Sequence, residues 1–197
     1  MRRRWLLLAA AIAPSPALAH DAFGDLGPFY ASFLHSLADP LQAALVVGTA
    51  AFLAGRPIEV ARVALPVLVA AAALGLGLGW RLALMPPPLL PAAAAVAVGL
   101  AATLPARRTP LWAALPLVAV TGALAGLAPG PPDSAALQPL FGGFLGIGIF
   151  TALAWVGFDA LARRLSPIAP AVAGSWVAAV GMLAGAFAIK AAANSLS

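Results

Sequence analysis

Few side chains in this sequence could hold an ion, and two of them stand four residues apart. They lie in Phe29-Tyr-Ala-Ser-Phe-Leu-His35-Ser-Leu-Ala-Asp39-Pro40-Leu-Gln42. On an unbroken helix this spacing puts an imidazole and a carboxylate on one face, one turn apart. Imidazole suits nickel, copper and zinc, and carboxylate accepts most divalent ions, so the pair reads as a site for a divalent transition metal. A second reading makes Asp39 a helix N-cap with Pro40 at the first helical position. Residues 29–38 then form a separate interfacial or re-entrant piece, and His35 sits at headgroup level. Both readings stay open at this point.

Further candidates are weaker. His20, Asp21 and Asp25 could join the metal ligands, because an N-terminal His20 would offer its α-amine and imidazole together. Its plain alternative is a solvated residue. Arg81 either snorkels to an interface or pairs with Asp39 or Asp133 to close an external gate. Enzyme chemistry finds no support: His-Glu-x-x-His and Gly-x-Ser-x-Gly are both absent. The only two histidines lie at 20 and 35, and the one serine expected to be deep is Ser175. The chain is therefore expected not to be an enzyme and to hold no permanent cofactor. With no cysteine, thiolate metal sites and disulfides are excluded.

The elements that position these residues follow from composition. Of 197 residues, 63% are hydrophobic and 9% charged, with mean hydropathy +1.01. A soluble domain carries about 25% charged residues, so a soluble enzyme, a nucleic-acid-binding module and a disordered chain are ruled out. The expectation is an all-α polytopic membrane protein whose first partner is the lipid bilayer. The pI near 11.4 does not point to nucleic acid, since three of the eleven basic residues occupy positions 2–4.

Residues 1–19, MRRRWLLLAAAIAPSPALA, have the parts of a secretory signal peptide cleaved after Ala19. The nine apolar residues Trp5 to Ala13 are too few to span a bilayer, which takes about 20. Uncharged runs at 63–80, 82–106, 109–132, 134–158 and 165–189 each admit one crossing. With a helix before Arg56 they predict six spans: 31–54, 63–84, 89–104, 111–128, 139–161 and 168–190. The chain is thus expected to be a signal peptide (1–19) followed by one six-helix transmembrane domain (20–197). Arg56, Arg62, Arg107, Arg108, Arg163 and Arg164 fall in the first, third and fifth connections. By the positive-inside rule those connections are cytoplasmic, which leaves both termini outside a bacterial inner membrane. Three spans per half permit a 3+3 inverted repeat. Two glycine clusters, Gly75 to Gly79 and Gly142 to Gly148, are expected to be close-packing surfaces or elements of such a repeat. At membrane depth a charged residue costs about 2.5–3.5 kcal/mol on insertion scales, so His35 and Asp39 should face a protein interior or a watery cavity.

The segment from His20 through Gly27, His35, Asp39 and Pro40 to Gly48 resembles the HupE/UreJ family of membrane proteins. The resemblance implies a cleaved signal peptide, about six helices and nickel or cobalt uptake serving hydrogenases and ureases. It carries His35 and Asp39 over as metal-site residues. Where the family has Asp-His, this chain has Asp39-Pro40, and Ser36 replaces the proline after the first histidine. The expected function is a permease for a divalent transition metal, passive or gradient-coupled, since no ATP-binding motif is present. The alternative is a non-transporting accessory factor that works with metalloenzyme maturation proteins.

Overall fold

Proline and the residue before it decide where most helices start. Proline fits the first helical turn, where no N–H is needed, and disfavours the α region for its predecessor. The computed structural model describes residues 26–105, 110–129 and 137–195. Among them are seven helices and no strands: α1 (Pro28–Ala38), α2 (Pro40–Ala54), α3 (Ile58–Leu82), α4 (Leu89–Thr103), α5 (Leu111–Leu127), α6 (Gln138–Arg164) and α7 (Ala169–Asn194). The expected signal peptide, His20 and Asp133 lie outside the described residues.

The helices follow the expected spans closely, with two differences. The first span is not one helix: α1 and α2 meet at Asp39 with a bend of 70°. Also, α3 begins at Ile58 and α7 runs past Lys190, because charge at the edge of an apolar run does not stop a helix, whereas Pro57 does. By length and apolarity α3, α6 and α7 can each cross a membrane, and the bent α1–α2 pair makes a fourth span if taken as one. The apolar helices α4 and α5 are shorter, at 15 and 17 residues.

At the centre stands α2, packed against α4, α5, α6 and α7. Its residues Leu45, Val46, Ala50, Ala51, Phe52 and Leu53 are all buried. A helix that is mostly apolar around its circumference belongs in an interior, and only Pro40, Leu41, Ala43, Val47 and Ala54 of this one reach the surface, in whole or in part. The outer helices turn large apolar side chains outward instead: Trp112 is 78% exposed and Trp176 71%. Such a surface is stable only in an apolar solvent. Trp155 packs against the core.

Small residues let the outer helices approach it. A methyl group on Gly99 of α4 would stand 2.6 Å from Gly174 O on α7, and one on Gly181 would stand 2.8 Å from Ala92 O. One on Gly75 of α3 would strike the Ala123 carbonyl of α5, and one on Gly126 would strike that of Ala72. Both glycine clusters therefore include close-packing positions. The contacts also fix relative directions. Rising numbers on α3 meet rising numbers on α5, and α1 runs along α6 in the same way. By contrast α4 and α7 are antiparallel, as are α3 and α6, where Gly143 meets Leu76 and Gly148 meets Val69.

Candidate functional site

Asp39 breaks the first span because Pro40 follows it. Its backbone is extended (φ −79°, ψ 117°), and its side chain turns back to cap the helix it begins: Asp39 Oδ1 accepts from Gln42 N at 2.6 Å. The end of α1 closes on the same residue, whose N–H donates to His35 O at 2.9 Å. Of the two readings of this segment, the capped, broken one holds. His35 occupies the last turn of α1 and Asp39 the joint itself, both half-buried. They are joined by that backbone hydrogen bond and do not share one face of a continuous helix.

Polar residues flank the joint on both sides. Pro40 has no N–H to return to the Ser36 carbonyl, so the α1 ladder ends there. Ser36 itself is fully buried, and its Oγ lies against α6, 3.1 Å from where a methyl on Gly146 would stand. The Phe29, Ser32, Phe33 and Ser36 side of α1 is seated on Gly142, Gly143 and Gly146, whose lack of side chains lets it in. This corrects the expectation for the serines: the deep one is Ser36, while Ser175 is exposed and donates to Val172 O within its own helix.

Gln42 lies one turn beyond the joint and is 1% exposed. Its Nε2 donates to Ala125 O of α5 at 2.6 Å. That carbonyl needs an outside donor, because the residue four positions on is Pro129. At seven-residue spacing come Thr49 on α2 and Arg56 just past its end, so a polar seam runs along one face of α2 and into the turn that follows. Thr49 Oγ1 donates to Leu45 O at 2.8 Å and meets Thr121 Oγ1 of α5 at 3.1 Å. Arg56, 8% exposed, closes the seam by donating to Ala101 O at 2.8 Å and Leu104 O at 3.0 Å, the carboxyl end of α4. Its guanidinium rests over Phe52, 4.4 Å from the ring centroid. A cation at a helix carboxyl end offsets the helix dipole, so Arg56 adds to the bond by which Leu104 N–H already closes α4 on Ala101 O.

Of the remaining candidates, Arg81 is the one among the described residues, and it is not drawn into this site. Arg81 is exposed near the end of α3, with its guanidinium 5.1 Å from the Trp80 ring, and forms no ion pair with Asp39. Among the described residues no three of His, Cys, Asp and Glu gather into a metal-holding group. Asp159 pairs with Arg163 one turn on along α6, at the helix end.

The family model described as HupE / UreJ protein matches residues 8–184. The chain belongs to the HupE/UreJ family. As a HupE/UreJ protein with several long apolar helices it is a membrane protein. Comparison with curated proteins and with solved structures gave no match. What reading the residues did not reach in this HupE/UreJ chain is the burial of Ser36, Gln42 and Arg56. The 42, 49, 56 spacing was the available signal for the seam.

Proposed function

We propose that this HupE/UreJ protein is an inner-membrane permease for a divalent transition metal, nickel or cobalt. The observation that carries the reading is the helix break at Asp39-Pro40, flanked on either side by the buried polar residues Ser36 and Gln42. Breaks of this kind free backbone carbonyls and expose helix ends to an ion at membrane depth. A break without such use would leave polar groups in an apolar interior at a cost of several kcal/mol. In this reading His35 supplies a nitrogen and Asp39 a charged oxygen to the passing cation, while Asp39 also caps α2. The metal is cargo, with no resident cofactor and no reaction catalysed.

Six crossings serve this function: the α1–α2 pair, then α3 to α7. The helix directions support it, since parallel α3–α5 and α1–α6 pairs and antiparallel α4–α7 and α3–α6 pairs are what alternating crossings require. Arg56 holds the end of α2 beside the end of α4, which favours a common, cytoplasmic side for the first and third connections. The same directions fit a 3+3 inverted repeat. Leu76 meets both Gly126 and Gly143, so the two glycine contacts share one half of the bundle, and the repeat is one of topology rather than of packing detail.

Uptake by cells expressing the chain tests the reading across nickel, cobalt, copper and zinc. Accumulation of nickel or cobalt above that of empty-vector cells, reduced by His35→Ala and Asp39→Ala, is expected. Background uptake of all four ions would set the permease reading aside in favour of the accessory role in metalloenzyme maturation.

A further inference from the structure

Two buried oxygens at the broken helix have no hydrogen-bond partner: Ser36 Oγ and Gln42 Oε1. The amide orientation is fixed from outside. Pro129 deprives Ala125 O of its helical donor, so Nε2 must face that carbonyl and Oε1 must face away from it. An amide oxygen only accepts, so its partner has to be a donor or a cation. Leaving a buried acceptor unmatched is unfavourable, and here two such oxygens lie on either side of one joint.

Contacts around the joint place them at one level of the bundle. Gln42 of α2 bonds Ala125 of α5. The neighbouring Gly126 abuts Leu76 of α3, whose N would lie 2.9 Å from an added methyl. The Leu76 side chain and Ser32 Oγ converge on Gly143 of α6, at 3.1 and 3.0 Å from the same kind of probe. Ser36 follows Ser32 by one turn of α1 and lies against Gly146. The helices α2, α5, α3, α6 and α1 are therefore linked in turn at the level of the break. At that level stand the buried Ser36 hydroxyl and Gln42 amide oxygen, the Ser36 carbonyl that Pro40 cannot serve, and the half-buried Asp39 carboxylate. Every one of these donors is oxygen, which suits hard cations rather than nickel or copper. There is a single carboxylate, and the carboxyl end of α1 adds partial negative charge. One unit of charge balances a monovalent ion.

We propose that the α1–α2 break holds a sodium ion, ligated by Ser36 Oγ, Gln42 Oε1, Asp39 and the terminal carbonyls of α1. Resting on the permease reading, the consequence is exchange: sodium and the divalent cargo share Asp39 and displace one another. Sodium binding itself does not need that reading.

The test is thermal unfolding of the full chain in detergent, in NaCl against KCl and choline chloride at equal ionic strength. A ligand that binds the folded state raises the midpoint as its concentration passes its dissociation constant. A saturable rise with sodium alone is expected. Ser36→Ala, which removes only a hydroxyl, and Gln42→Leu should each weaken apparent sodium affinity by roughly tenfold or more, the factor set by losing one ligand to a charge. Thr151→Val, at a buried threonine bonded only within α6, should leave the sodium response unchanged. Equal midpoints in the three salts would mean that ordered water alone fills the joint and would overturn the proposal, as would an undiminished sodium response in Ser36→Ala. Sodium binding without metal flux would leave this site standing and remove the permease.

Discussion

Seating α1 on the glycine face of α6 is what holds the broken helix in place, and adding one methyl group to that face should dislodge it. A Cβ on Gly142 would strike the Phe29 carbonyl, and one on Gly146 would strike the Phe33 carbonyl. Backbone cannot swing aside as a side-chain tip can, so α1 must back away as a unit. Overpacking of this kind costs about 1–3 kcal/mol. Replacing a helical glycine with alanine also returns roughly 0.5–1 kcal/mol of backbone entropy. Gly77 of α3 provides the reference, since nothing lies within 4 Å of its added methyl; Gly77→Ala should collect the entropic gain alone. The propensity contribution is common to all three, so Gly142→Ala and Gly146→Ala should fall below Gly77→Ala by about the overpacking cost, 1–3 kcal/mol. Denaturant unfolding in micelles reads this difference directly. If the three variants unfold together, α1 is not held by close backbone approach, and the geometry derived for the joint fails with it.

The joint and the seam allow three more checks. Asp39→Asn keeps an N-cap of equal quality while removing the charge, so it should retain stability yet lose metal uptake, whereas Asp39→Ala should also lose about 0.5–2 kcal/mol. A double-mutant cycle between Thr49→Val and Thr121→Val should give a coupling of about 0.6 kcal/mol and at most about 1.7, the range of hydrogen bonds between membrane helices; the same cycle between Thr49 and Thr151 should give none. Arg56→Met keeps the stem over Phe52 but leaves Ala101 O and Leu104 O without their guanidinium donors. It should cost about 1–3 kcal/mol by thermal unfolding, and loss confined to α4 should show as faster amide exchange at its carboxyl end.

Much of this architecture is written in the chain at the level of punctuation. Pro57, the Pro86–Pro88 run, Pro110 and Pro139 mark helix starts, because the missing N–H and the fixed φ act locally. The break at Asp39-Pro40 was legible as one of two alternatives. What decided it was the pre-proline restriction on Asp39 acting together with its capping bond to Gln42; without such a cap, Pro66 and Pro116 are carried inside α3 and α5. The interior was less legible. Hydropathy treats Ser36 and Ser175 alike, and only the approach of α6 through Gly146 buries the first while the second faces outward. Arg56 counted as a loop charge, since nothing near it in sequence announces that it donates to the carboxyl end of α4, 45 residues on. Gln42 is hidden for the same reason: its partner is a carbonyl orphaned by Pro129 on another helix.

The central claim is that the break passes a divalent metal, and flux into proteoliposomes tests it most directly. Vesicles carrying the native chain, loaded with a metal-quenched dye and challenged with external nickel or cobalt, should quench faster than protein-free vesicles. Vesicles carrying Asp39→Asn, matched in protein content and unfolding midpoint, should fall back to the protein-free rate. Native vesicles that quench no faster than empty ones, or an Asp39→Asn protein that transports as well as the native, would contradict the account.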